Sequence, residues 1–117
     1  MDFDKAIDAH VEWKTKLRGA IAAQSTLDAA AIGKDNACPL GQWLHGDAKI
    51  KYGHLPTFAG CVSAHAVFHR EAGRVAAMIN DKRYTDADAA LGAGTPYTSA
   101  SMATGVAIAK LRKEVGA

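Results

Sequence analysis

The stretch PTFAGCVSAHAVFHREAGRVAAMI, from Pro56 to Ile79, decides the fold of this 117-residue chain. Phe58, Cys61 and Val62, His65, Phe68 and His69, Ala72, Val75 and Ala76, and Ile79 recur at steps of three and four, the period that lines one face of an α-helix. A proline opens the run, at a position where a helix loses nothing by its missing N–H. The spacing predicts a helix of more than about twenty residues whose apolar stripe is interrupted only by histidines.

The same period appears nearer the start of the chain. Phe3, Ile7, His10, Trp13, Leu17 and Ile21 share a stripe between Phe3 and Gln24, and acidic residues occupy the first turn, where the helix dipole favours them. Between Ser25 and Ala37 the period is lost among turn formers, which predicts a loop with room for one short helical turn. Asn36 reads as the N-cap of a short helix with Pro39 in its first turn, running through Trp43 to His45, and Gly46–Gly53 as a polar connection. Thr85 reads as the cap of another short helix ending at Ala90 or Leu91, broken by Gly92 and Gly94. Thr95-Pro96 then starts a last helix that runs to about Glu114. Alanine is about a fifth of the chain and no strand-like alternation is present. The expectation is all-α: an antiparallel four-helix bundle with additional short helices, one domain over residues 1–117. Its Ala- and Gly-rich stripes bring helices close but bury little area per residue, so a further source of cohesion is expected.

Composition narrows the function. A formal net charge of +2 lacks the basic excess that binding a phosphate backbone requires, which argues against nucleic acid. Asp2, Asp4, Asp8 and Glu12 stand where a signal peptide would be basic and then apolar, and no run of uncharged apolar residues is long enough to span a bilayer. Neither export nor membrane insertion is expected. Cys38 and Cys61 are too few for a disulfide framework, which makes them reduced thiols or metal ligands in a cytoplasmic chain.

Of the histidines at 10, 45, 54, 65 and 69, His45 and His54 flank a polar loop and read as solvated, whereas His10, His65 and His69 fall on core-facing stripes. A polar ring buried without a partner costs on the order of 1–3 kcal/mol, so three in one small core call for a shared explanation. His65 and His69, four apart, present both imidazoles to one side of the same turn, within reach of one metal ion. His10 adds a third nitrogen and Cys38 a thiolate, and three nitrogens with one sulfur form a closed tetrahedral set suited to Zn²⁺. Three alternatives stand beside this, the first being that Cys38 is a small buried hydrophobe with a weak S–H donor. His10 taken alone fits equally a core side chain bonded to a carbonyl, and Cys61, on the same face as His65 and His69, fits packing or a substitute ligand. Trp13, Trp43, Phe58 and Phe68 read as core.

The run Cys38-Pro39-Leu40-Gly41-Gln42-Trp43-Leu44, with His10-x-x-Trp13-Lys14 before it and His65-x-x-Phe68-His69 after it, resembles the chemoreceptor zinc-binding (CZB) domain over nearly the whole chain. The resemblance implies a four-helix bundle that forms homodimers, with His10, Cys38, His65 and His69 as zinc ligands and Cys61 outside the pattern. It further implies a regulatory role in bacterial signalling and chemotaxis, next to chemoreceptor or diguanylate cyclase outputs, in response to zinc or to oxidants such as hypochlorous acid. Cys38 is then the redox-reactive group, because a zinc-held cysteine is a thiolate and the thiolate is what an oxidant attacks. Trp13, Gly41 and Trp43 take supporting places, Gly41 by allowing close packing and Trp43 as an anchor for the Cys38 segment.

Three other functions are weighed against this. A catalytic zinc site wants an open position and a carboxylate base, but Ala66 follows His65 where a metalloprotease carries glutamate, so no enzyme is expected. A di-iron oxygen carrier needs carboxylates four or five residues after its histidines, and none stands there. A structural zinc staple in an interaction module, or a zinc buffer, is the competing alternative.

Overall fold

Asp2 accepts the amide of Lys5 at 3.1 Å and so starts the first helix, while Gln24 ends it in the left-handed region at φ 54°. In the computed structural model, which describes residues 1–116, helices follow in the order α1 (Phe3–Ala23), α2 (Ala29–Ile32), α3 (Pro39–His45), α4 (Asp47–Tyr52), α5 (Pro56–Asn80), α6 (Tyr84–Ala90) and α7 (Pro96–Val115). Among the described residues there is no strand. The domain is an all-α bundle in which α1, α5 and α7 are the long members and the short helices pack around them.

α7 lies antiparallel to both long partners. Its Glu114 accepts the amide and hydroxyl of Thr57 at one end of α5, while Tyr97 meets Phe68 towards the other; along α1, Arg112 pairs with Asp4. α1 and α5 run parallel, because residues 24–55 cross back along the bundle between them. Two starts differ from expectation. The N-cap of α3 is Cys38, whose sulfur accepts the Gly41 amide, and not Asn36, which stands two residues too early to reach it. Arg83 precedes α6, whose first residue is Tyr84, so Thr85 already lies inside the helix. The stretch 46–53 also contains a helix, α4, whose one buried residue is Ala48.

Two apolar clusters fill the bundle. Leu17, Phe68, Val75, Ile79, Leu91 and Tyr97 belong to one, and Phe3, Leu40, Leu44, Phe58, Ile108 and Leu111 to the other. Between them lies a polar layer of His10, His65, His69 and Thr104, each no more than 4% exposed. Thr104 is satisfied by the carbonyls of Ala100 and Ala64. Tyr97 is buried with a hydroxyl that bonds to no protein group, and burial pushes its pKa up to about 12. Removing that hydroxyl relieves its desolvation, so Tyr97→Phe is expected to raise the thermal unfolding midpoint by the equivalent of about 1 kcal/mol. A lowered midpoint would show that the hydroxyl has a partner.

Candidate metal centre

The segment after α1 is laid down along α5 by a series of contacts that bring each ligand to its place. Asn80 grips the backbone of Leu27 from both sides, accepting its amide and donating to its carbonyl at 2.8 Å each. Farther along, Gly73 and Gly33 touch backbone to backbone: a Cβ on Gly73 would lie 2.8 Å from the Gly33 Cα, so only glycine fits. The carbonyl of Ile32 accepts from His69 Nδ1 at 2.9 Å. The chain thus descends α5 until Cys38 Sγ stands 3.2 Å from His65 Nε2.

His10 arrives from α1, its Nδ1 donating to the Ala6 carbonyl at 2.6 Å. The rings of His10, His65 and His69 pack edge to face with centroids 4.5–5.5 Å apart, walled by Phe68. One ligand atom from each of His10, Cys38, His65 and His69 lies within 4.8 Å of the others. A tetrahedral ion with bonds of about 2.0–2.3 Å spans ligand pairs about 3.3–3.8 Å apart, so ligation would draw the widest of these pairs together by roughly 1 Å.

Orphaned nitrogens show that the donor set fits a metal. A carbonyl only accepts, so His10 and His69 carry their protons on Nδ1 and leave a lone pair on Nε2. Those two Nε2 atoms are buried and have no protein partner. Such a group is costly in an apolar core, and a cation among the three rings and the sulfur would resolve it. His65 Nδ1 is buried and unpartnered as well, while its Nε2 faces the sulfur.

Burial holds all three imidazoles in the neutral form that a metal needs. It lowers the pKa of His10 and His69, and burial followed by the neighbouring His69 and His10 takes that of His65 down to about 3. Burial also raises the Cys38 thiol above its ordinary value, against the opposing Gly41 amide. In an unfolded chain the histidines return to about 6.5. Unfolding therefore takes up protons below that pH. The stability carried by the neutral rings is present above pH 6.5 and is lost as the pH falls below it, for His65 down to about 3, with a slope of up to about 1.4 kcal/mol per pH unit for each ring. Thermal unfolding of chelator-treated protein between pH 7.5 and 4.5 should show this fall, and His65→Phe should make it shallower.

The family model for the chemoreceptor zinc-binding domain matches residues 10–76, from the first of these histidines to a point beyond the last. The chain belongs to this family. No curated protein and no solved structure matches it. Membership in the CZB family and the convergence of His10, Cys38, His65 and His69 together support a zinc-binding site. No helix is long and apolar enough to cross a membrane among the described residues.

Other residues singled out in the sequence take distinct places in this CZB domain. Trp13 is half-buried beside Lys16, whose Nζ stands 5.0 Å from the ring centroid, and it lines a cleft of about 350 Å³ with Cys38, Pro39 and His69. Trp43 packs edge-on against Phe3 and against Tyr52, fastening α3 and α4 to α1. Gly41 lies against the Asp35 carbonyl and within reach of His65. Cys61 sits in the cluster with Phe3 and Leu40, 1% exposed, its thiol pushed up to about 11 by burial. His45, read as solvated, is exposed but bonds to Asp35 at 2.9 Å. Asp35 went unnoticed in the sequence, since a single acidic residue in a loop carries no signal of its partner.

Proposed function

We propose that this chain is a zinc-binding regulatory domain of bacterial signalling, in which the Cys38 thiolate reports an oxidant such as hypochlorous acid or the supply of zinc. The reading rests on the unequal mounting of the donors. Three imidazoles are buried on the long helices α1 and α5, while the sulfur is half-buried at the head of the seven-residue α3. Zinc held by His10, His65, His69 and Cys38 would keep the Cys38 sulfur as a thiolate and link the helices. The thiolate sulfur attacks the chlorine of hypochlorous acid and expels hydroxide. Water then displaces chloride and gives up a proton to solvent to leave the sulfenic acid, so sulfur has lost two electrons and chlorine has gained them. A sulfenic acid is a poorer ligand, so Cys38 would swing out with the segment before α3 while the long helices bearing the histidines stay folded and Leu40 and Leu44 keep α3 seated in the core. The domain acts in the cytoplasm as a homodimer, without catalysis of its own, on an output of chemoreceptor or diguanylate cyclase type.

A second reading, a zinc staple in an interaction module or a zinc buffer, is favoured by the polar layer that divides the core. Titrating the zinc-loaded chain with hypochlorous acid separates the two. For a sensor, about one equivalent is expected to release zinc to a colorimetric chelator with helicity retained and a Cys38 sulfenic acid trapped. Zinc that stays bound, or leaves only as the circular dichroism collapses, would favour the staple.

A further inference from the structure

We infer that Asp35 and His45 are positioning residues, forming a strap that holds the Cys38 sulfur at the metal centre. The inference rests on the zinc-site reading above and is independent of oxidant sensing. His45 Nε2 stands 2.9 Å from Asp35 Oδ2. This bond closes residues 35–45 into a ring, with Cys38 and Gly41 inside it. Within the ring the backbone is already drawn tight. The Asp35 carbonyl oxygen occupies the place where a Gly41 side chain would begin, 1.7 Å from an ideal Cβ, and the Gly41 amide donates to Cys38 Sγ at 3.3 Å.

Asp35 thus touches α3 twice, by its carbonyl near the helix start and by its carboxylate at the helix end. Apart from these contacts and the Cys38 carbonyl bond that begins α3, the described hydrogen bonds and ion pairs tie residues 35–38 to the rest of the protein only through the sulfur's approach to His65. A segment held by so few bonds opens locally at small free-energy cost, and the rate at which the sulfur leaves follows the strength of those bonds. The pair is partly exposed, with side chains 28% and 42% accessible, so it can be removed without opening the core.

Labelling of the zinc-free full chain with an aromatic disulfide reagent tests this. Cys38 is followed in a Cys61→Ala background and Cys61 in a Cys38→Ala background. Asp35→Ala and His45→Ala are each expected to raise the Cys38 labelling rate about two- to fivefold, and the double variant no further, because each single change breaks the same bond. Cys61, buried in the core, should label at an unchanged rate. In the zinc-loaded chain, transfer of zinc to a competing chelator should quicken by a similar factor. An unchanged Cys38 rate, multiplied effects in the double variant, or a parallel rise at Cys61 would each overturn the strap, the last by revealing a general loosening. Labelling needs no metal, so a chain that bound no zinc would defeat the zinc-site reading while the strap measurement could still be read.

Discussion

Cys38→Ser is expected to weaken zinc binding by at least about a hundredfold while leaving the bundle folded. A serine hydroxyl stays protonated where the thiol gives a thiolate, so one of four donors is lost from a site type whose whole apparent binding energy is about 10–16 kcal/mol. The same change keeps the helix cap. Cys38 is the N-cap of α3, accepting the Gly41 amide, and serine is among the preferred residues at such a position. Ligand and cap are therefore separable. Cys38→Ala should lose both zinc and about 1 kcal/mol of α3 stability, whereas Cys61→Ser should retain one zinc per chain and lose core stability. Metal analysis, chelator competition and thermal unfolding of the three variants provide the check, and zinc lost from Cys61→Ser but kept by Cys38→Ser would refute the ligand set.

The second large effect is expected at Gly41. Alanine is favoured over glycine inside a helix by about 1 kcal/mol, and on that ground Gly41→Ala would stabilise α3. The site reverses the sign. The new methyl would stand 1.7 Å from the Asp35 carbonyl oxygen and 2.7 Å from its carbon, both backbone atoms that cannot swing aside, and 3.1 Å from His65 Cε1. α3 has to lift away, taking the Gly41 amide off the sulfur and the sulfur off His65. We expect a loss of about 3 kcal/mol or more in chemical denaturation, with a fall in zinc affinity beside it. Gly60→Ala and Gly105→Ala, where nothing beyond the glycine's own turn of helix lies within 4 Å of the added carbon, provide the contrast and should be neutral or slightly stabilising. A Gly41→Ala protein as stable as these controls would mean that the contact with Asp35 relaxes freely.

The long helices were legible because their stripes carry strong periodicity: Phe3 to Ile21 and Phe58 to Ile79 announce α1 and α5, and Thr95-Pro96 marks the first turn of α7. The histidines were legible for the same reason, being polar residues on apolar faces. The helix at 47–52 was not, since with Ala48 alone buried it has no stripe to read. Asparagine is a common cap and Asn36 offers one, whereas the structure caps α3 with the Cys38 sulfur, a residue type that carries no capping signal. Pairings between distant residues were beyond reach. Asn80 with Leu27, Gly73 with Gly33 and His45 with Asp35 have no local signature, yet they set the path of the crossover and with it the parallel course of α1 and α5.

The layer of imidazoles between the two apolar clusters governs how the molecule comes apart. Leu17, Phe68 and Ile79 form one oil drop and Phe3, Leu44 and Ile108 another, and long helices thread both. With the rings unbridged, the two drops are expected to melt more independently of one another. A cation held among the rings would grip the two halves at that waist and couple their melting, so metal loading is expected to sharpen the unfolding transition as well as raise it.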